Sequence, residues 1–217
     1  LTNADLSNAK TGSINGSPKV LPNGWEQRNK SLIGPGADLT SAVLKNADLN
    51  GLNFTDANLT NADLINAKTG TIIGSPKFLP NGWNQRNKSL IGAGADLTGA
   101  VLKNADLNSL DFTDVNLTNA VLTNAKTGTI IGIPKALPEG WVQRGQSLIG
   151  PYANLNNANL EQADLSKANF LKDAFKLKGL SKSDYNNGLL SEAENSDAQN
   201  IKATHQDYKL VGNDFSN

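Results

Sequence analysis

The sequence contains no cysteine, no methionine and only one histidine, His205. Without cysteine there can be no disulfides, thiolate metal sites or cysteine nucleophiles, and a single histidine leaves little imidazole chemistry. Because His205 stands alone in a polar stretch, we interpret it as a surface residue. The lack of methionine, even at position 1, suggests a processed or excerpted chain.

Charge and hydropathy exclude further classes. The 20 Lys and Arg residues balance 20 Asp and Glu residues, so bulk charge does not indicate nucleic-acid binding. No apolar run is long enough for a membrane span, and no signal-peptide pattern opens the chain. No P-loop, dinucleotide-binding fingerprint or nucleophile elbow occurs, so we expect neither enzymatic activity nor a cofactor.

What the sequence does contain is repetition on two scales. The short period is five residues, as in ADLTS AVLKN ADLNG LNFTD ANLTN ADLIN from Ala37, with related runs from Ala95 and Ala153. The long, 58-residue period separates the three tryptophans and the three arginines of the chain, Trp25, Trp83 and Trp141, and Arg28, Arg86 and Arg144. Because repeats reveal architecture directly, they take priority over local patterns.

A period of five fits neither a helix nor a regular strand. Apolar residues alternate spacings of two and three, as in Ala37, Leu39, Ala42 and Leu44. A backbone that takes a short extended step and turns a corner at every repeat would point the Leu and the preceding Ala inward and the intervening Asp or Asn outward. The pattern therefore predicts an all-β solenoid whose core is built by stacking.

The repeats resemble the pentapeptide-repeat family, whose A(D/N)LXX motif matches several triplets here, Ala37-Asp38-Leu39, Ala47-Asp48-Leu49, Ala62-Asp63-Leu64, Ala105-Asp106-Leu107 and Ala163-Asp164-Leu165. This resemblance implies a right-handed quadrilateral β-helix with four pentapeptides in each coil. It implies little about function.

Between the pentapeptide runs lies a 28-residue module, present at 9–36, 67–94 and 125–152. Its LPNGW or LPEGW string predicts a turn, and the stretch from Arg28 to Ile33 predicts a hairpin or an irregular coil side. We expect a protruding or widened coil, and two coils plus an excursion in every long repeat.

The paired tryptophan and arginine positions are the candidate ligand residues, namely Trp25, Arg28, Trp83, Arg86, Trp141 and Arg144. An aromatic ring and a cation on one face could bind a sugar or an anion. Alternatively, Trp fills the wide coil while Arg stacks on it or holds turn carbonyls. We favour the structural interpretation, because residues repeated with the period of the fold usually serve the fold.

Other polar groups have a simple explanation. Stacked carboxylates such as Asp38, Asp48, Asp63, Asp96 and Asp106 could form weak Ca²⁺ sites, but a solvated outer face is favoured. Glycosylation sequons occur at Asn15, Asn29, Asn53, Asn58, Asn87 and Asn116, and the abundance of Asn explains them.

The domain prediction has three parts. Residues 1–172 form the solenoid, 173–207 form a degenerate or part-helical segment, and 208–217 resume the pentapeptide coil. Two capping-box patterns, at 181–184 and 191–194, suggest the helices. Because the chain begins and ends in repeat-like residues, we expect it either to continue in both directions or to stack end to end.

For function, the sequence favours a non-enzymatic structural or interaction protein, part of a bacterial secreted or surface protein, with self-association or a protein partner. A cytoplasmic location is the alternative. A DNA-mimicking topoisomerase binder and a carbohydrate-binding surface module are rival functions. The mimic needs a strongly negative surface, which zero net charge disfavours.

Overall fold

The structure is a computed structural model that describes residues 1–154, which are mostly β and contain no helix. Their strands form three hairpins, β1 (Glu26–Arg28) with β2 (Ser31–Ile33), β3 (Asn84–Arg86) with β4 (Ser89–Ile91), and β5 (Val142–Arg144) with β6 (Ser147–Ile149). The predictions for 173–207 and 208–217 lie outside the described residues.

The chain divides into two compact units that alternate along the sequence. Unit 1 comprises Leu1–Val101, Leu110–Ala120 and Ile133–Ala136. Unit 2 comprises Leu102–Ser109, Val121–Gly132 and the described residues from Leu137 onward.

In unit 1, parallel bridges join positions that are four pentapeptides apart. The pairs are Asp38 with Asn58, Val43 with Asp63, Asp48 with Lys68, Asn53 with Ile73, Asn58 with Phe78, Asp96 with Asn116, and Asn116 with Ala136. Four pentapeptides is the number that the family resemblance implied for one turn of the solenoid. We call the stretch of chain between two bridged positions a coil. Unit 2 contains the same spacing, between Asp106 and Lys126.

The core is made by the two inward positions of each pentapeptide, as the spacing predicted. Leu39, Leu49 and Phe54 are fully buried, and Ala37 and Ala57 beside them are also fully buried. The outward position between them is polar and more accessible, as at Asp48, which is exposed. Since a buried Leu or Phe contributes about 1.5–3 kcal/mol, repetition of these positions from coil to coil supplies the main apolar stabilisation.

Most corners between pentapeptides are four-residue turns with a left-handed third residue. In the turn from Leu59 to Ala62, the Ala62 N–H donates to the Leu59 carbonyl at 2.9 Å, and Asn61 has φ 57°. A positive φ at this place defines a type II turn. Asn and Gly adopt it at lower cost than other residues, which explains why the fifth residue of the repeat is so often Asn, as at Asn46 and Asn66.

The 28-residue module is a coil enlarged by its hairpin. Bridges join Lys10 to Asp38 and Lys68 to Asp96, and the chain between each pair is eight residues longer than in an ordinary coil of unit 1. A hairpin such as Glu26–Ile33 contains those eight residues. The long repeat therefore consists of two and a half coils plus a hairpin, and the prediction of two coils plus an excursion is wrong. The sequence could not show how many residues remain in the coil path.

The half coil places successive hairpins of unit 1 on opposite sides. The first hairpin precedes Asp38, and the second precedes Asp96, which shares a bridged column with Asp48 and Lys68. Asp38 and Asp48 are two pentapeptides apart, which is half a coil.

The hairpin does not protrude freely, contrary to one part of the prediction. β2 is buried along its whole length, whereas β1 is partly exposed. The Leu32 N–H donates to the Thr11 carbonyl at 3.0 Å, and the Ile14 N–H donates to the Lys30 carbonyl at 2.7 Å. β2 is therefore held between β1 and the segment that opens the module. The same two hydrogen bonds recur in the second and third modules.

Candidate functional site

The three tryptophans occupy one structural position, immediately before the first strand of each hairpin. Trp25 and Trp141 are 9% exposed, and Trp83 is half-buried. Each indole lies against a glycine on the second arm of its hairpin, Gly34, Gly92 or Gly150, where an added β-carbon would overlap the ring. The expectation that Trp fills the module core agrees with this placement.

The arginines end the outer strand and bind main-chain carbonyls. Arg28 Nη1 donates to the Gln27 carbonyl at 2.9 Å, Arg86 to the Gln85 carbonyl at 2.9 Å, and Arg144 to the Gln143 carbonyl at 2.8 Å. Arg28 also donates to the Asp48 carbonyl at 3.0 Å and forms an ion pair with Glu26 at 2.7 Å. The contact to the preceding carbonyl recurs in all three modules.

That contact covers the free edge of the hairpin. Gln27 faces Leu32 in the register, next to the hydrogen-bonded pair Arg28 and Ser31 that flanks the two-residue loop. Backbone groups at such a position point away from the partner strand. Leu32 bonds to Thr11, and the outward Gln27 carbonyl is capped by the Arg28 guanidinium. Positive charge at an edge strand discourages pairing with another chain.

The tryptophan and the arginine of one module face different surroundings. They are three positions apart on an extended segment, so their side chains lie on opposite faces. Trp25 packs on Gly34, whereas Arg28 reaches the Asp48 carbonyl. The tryptophan and the arginine of a module therefore do not form one shared surface. The tryptophan packs inside its hairpin, whereas the arginine binds main-chain carbonyls.

Two buried polar residues in each module were missed by the sequence reasoning. Thr69 Oγ1 donates to the Leu90 carbonyl at 2.7 Å, and Ser89 Oγ donates to the Gly70 carbonyl at 2.7 Å. Both side chains are fully buried. The equivalent bonds occur from Thr11, Ser31, Thr127 and Ser147. Their invariance among the three internal copies was the signal that could have identified them.

Outward carboxylates and amides cap the turns of their own pentapeptides. Asp38 Oδ1 accepts from the Thr40 N–H at 3.0 Å and from its hydroxyl at 2.6 Å, and these bonds lower the pKa of Asp38. Asn58 makes the same pair of bonds with Thr60. Similar bonds from Ser7 lower the pKa of Asp5. These groups act locally on the backbone, as Asx turns do.

Charge pairs between coils add little. Lys68 lies 3.7 Å from Asp48 in unit 1, and Lys126 lies 3.2 Å from Asp106 in unit 2, with all four side chains about half exposed. Exposed pairs of this kind contribute at most about 1 kcal/mol each. Among residues 1–154, no group of three or more His, Cys, Asp or Glu side chains is arranged to hold a metal ion.

The coil spacing and the capped turns agree with the comparison of the sequence with known families. Eight copies of the repeat described as pentapeptide repeats match the chain, at 36–68, 93–126 and 152–172. The chain is a pentapeptide-repeat protein. The match confirms the predicted resemblance. No curated protein matches the chain.

Pentapeptide repeats imply a β-helix, and proteins built from them are generally non-catalytic. The matched segments leave out all three hairpins, so the tryptophans and arginines belong to the part of this pentapeptide-repeat protein that departs from the motif. No helix within the described residues 1–154 is long and apolar enough to cross a membrane.

Proposed function

We propose that this pentapeptide-repeat protein is a non-enzymatic structural or interaction protein built as a right-handed quadrilateral β-helix. Successive coils lie on one another in a stack, and the protein self-associates through the ends of this stack. The observation that carries the proposal is the regular spacing of parallel bridges, one every four pentapeptides. Successive coils are joined mainly by main-chain hydrogen bonds, as from the Leu39 N–H to the Asn58 carbonyl at 2.8 Å. Such bonds require no particular side chain at the contact.

Self-association follows from the way coils pair. A coil at the end of a stack leaves N–H and C=O groups without partners, and unpaired edges of this kind pair with another chain. By contrast, the hairpin edges carry an arginine over their outward carbonyl, as at Arg28. This difference favours association along the stack and disfavours association through the hairpins.

The test is the size of the full chain across a concentration range, measured by sedimentation and by electron microscopy. We expect particles that lengthen with concentration, with a repeat of about 4.8 Å along the fibre, the spacing of paired strands. A monomer at every concentration, with no fibres, would falsify the proposal.

Two lysine substitutions distinguish an end contact from a side contact. Leu1 is 53% exposed and precedes the first bridged position of unit 1, Lys10, while Val43 is 63% exposed on an outward position. Leu1→Lys is expected to weaken assembly because a charge at this end would lose water when another stack covers it. Val43→Lys is the matched control and is expected to leave assembly unchanged. The reverse result would replace end stacking by lateral association.

Two further parts of the proposal concern partners and location. A DNA mimic needs a strongly acidic surface. Residues 1–154 carry 13 Lys and Arg against 11 Asp and Glu, which gives that rival no support.

A bacterial secreted or cell-surface location is proposed, with the cytoplasm as the alternative. Fractionation of the source cells with an antibody against the chain distinguishes the two.

A further inference from the structure

Two asparagine–glycine pairs, Asn23-Gly24 and Asn81-Gly82, occupy the same place in the first and second hairpin modules. In the turn at 22–25, the Trp25 N–H donates to the Pro22 carbonyl at 3.1 Å and Gly24 has φ 78°. The turn at 80–83 has the same hydrogen bond at 3.1 Å, and Gly82 has φ 80°. Both pairs are therefore the centre of a type II turn.

These two pairs are open to water and held by the turn alone. Asn23, Gly24, Asn81 and Gly82 are all exposed. Within residues 1–154, neither asparagine side chain makes a hydrogen bond, and neither glycine N–H donates one. Each turn is thus closed by one main-chain bond, and no neighbouring coil adds to it.

The pair Asn50-Gly51 has the same turn but lies within a coil. Its turn bond joins residues 49 and 52 at 3.2 Å, and Gly51 has φ 74°. Here the next coil holds both members of the pair. The Gly51 N–H donates to the Thr71 carbonyl at 2.8 Å, and the Thr71 N–H donates to Asn50 Oδ1 at 3.0 Å. The same two residue types in the same turn therefore occur in an open and in a locked setting.

We propose that Asn23 and Asn81 are sites of spontaneous deamidation, from which Asn50 is protected by its coil. Asparagine is one of the thermolabile residues of proteins, and glycine after it leaves the backbone unhindered. The glycine nitrogen loses its proton and bonds to the asparagine Cγ, while the Cγ–Nδ2 bond breaks and ammonia leaves. Water then opens the cyclic imide, at Cγ to give aspartate or at the main-chain carbonyl carbon to give isoaspartate.

The structure predicts the difference in rate through the opening of the turn. In a type II turn, the residue before the glycine has ψ of about 120°, which keeps the glycine nitrogen away from the preceding side chain. The turn must open before the nitrogen can attack. At Asn23, opening breaks the turn bond, whereas at Asn50 it also breaks the two bonds to Thr71. Local opening is most frequent where backbone hydrogen bonds are few and exposed.

The third module supplies the natural control for this reaction. Glu139 stands where the other modules have Asn23 and Asn81, so this turn carries a carboxylate from the start. Glu139 is exposed, and its turn keeps the bond between residues 138 and 141 at 3.1 Å. An acidic side chain is therefore accepted at this position of the turn. The reaction does not depend on self-association.

The test is incubation of the folded full chain at mildly alkaline pH, well below its melting temperature. Peptide mapping by mass spectrometry follows aspartate and isoaspartate at each asparagine over time. We expect product at Asn23 and Asn81 to form at least about tenfold faster than at Asn50, a factor equal to about 1.4 kcal/mol in the free energy of opening. In concentrated urea, the three sites should react at similar rates, because the coil no longer protects Asn50.

Asn81→Glu is the matched variant, since it copies Glu139. It should remove the reaction from the second turn, keep the melting temperature of the wild type and leave the rate at Asn23 unchanged. Equal rates at Asn23 and Asn50 in the folded chain, or no product at Asn23 and Asn81, would overturn the inference. A slow Asn50 in urea as well would show that neighbouring residues, and not the coil, cause the difference.

Discussion

The indole of Trp25 lies directly against the backbone of Gly34, across the hairpin from strand β1 to the residue after β2. The same relationship joins Trp83 to Gly92 and Trp141 to Gly150. The glycine of the repeated LIG string is required because a side chain would occupy the space of the ring. Each hairpin is thereby closed by a contact between its two arms.

The first prediction tests this contact. Gly34→Ala should destabilise the protein by about 1–3 kcal/mol, because the added methyl group overpacks a fixed position. Combining Gly34→Ala with Trp25→Leu should cost less than the sum of the single changes, since the smaller side chain makes room. Thermal denaturation followed by circular dichroism measures both. Additive losses in the double variant would show that the overlap is not the cause.

The second prediction concerns the inward and outward positions of one pentapeptide. Leu49 is fully buried and Asp48 beside it is exposed. Leu49→Asp should unfold or strongly destabilise the coil stack, because it places an unpaired charge in a dry core. Asp48→Asn should be nearly silent, since it loses only an exposed pair with Lys68. Equal melting temperatures for the two variants would refute the assignment of the faces.

The third prediction addresses the buried hydroxyl of Thr69. Thr69→Val keeps the shape but leaves the buried Leu90 carbonyl without this donor, which should cost about 1–3 kcal/mol. Thr69→Ser keeps the hydroxyl and loses one methyl group, at about 0.8 kcal/mol. Urea denaturation should therefore rank valine as the more damaging change. The opposite rank would mean that packing dominates over the hydrogen bond.

The fourth prediction is a pH dependence. The hydrogen bonds from Thr40 lower the pKa of Asp38 in the folded chain below that in the unfolded chain. The contribution to stability is therefore present above the unfolded pKa of about 4 and is lost as pH falls through the folded pKa. Asp38→Asn should reduce this loss, because Asn58 makes the same turn without a charge. Melting temperatures between pH 2 and 6 compare the two chains, and parallel curves would contradict the prediction.

The fifth prediction concerns a corner residue. Asn61 has φ 57°, so Asn61→Val should cost about 1–2 kcal/mol through strain in the left-handed region. Asn61→Gly accepts the same backbone conformation and should change stability by less than about 1 kcal/mol. Circular dichroism melts provide the measurement. A valine variant as stable as the glycine variant would exclude a strained corner.

The candidate site was predicted in position but not in arrangement. A shared ligand surface for Trp25 and Arg28 was the alternative that the sequence analysis did not favour, and the extended strand separates the two side chains. The favoured interpretation had Trp fill the coil and Arg either stack on it or hold turn carbonyls, and Arg28 does bind main-chain carbonyls. The role of Arg28 at an edge carbonyl depends on which backbone groups point outward, and that follows only from the register of the hairpin.

What the sequence by itself determined is the alternation of inward and outward residues. Leu39 and Ala42 must be buried and Asp48 accessible in any fold that uses the period of five, because the period places the apolar groups on one side of the backbone. The turn at Pro22 to Gly24 was also predicted, since Pro, Asn and Gly have strong turn preferences. For the stretch from Arg28 to Ile33 the sequence left a hairpin and an irregular coil side as alternatives, and the structure has the hairpin.

Only the tertiary structure determined how many residues of the chain make up one coil. The bridge from Lys10 to Asp38 encloses the first hairpin, whereas that from Asp38 to Asn58 encloses four pentapeptides alone, so the hairpin adds eight residues outside the coil path. Local patterns report which groups prefer water, whereas the coil path is set by hydrogen bonds between residues far apart in the chain. For that reason the sequence did not predict the half coil in each long repeat. The half coil, which places the first two hairpins on opposite sides of unit 1, follows from the backbone pairing of Lys68 with Asp96.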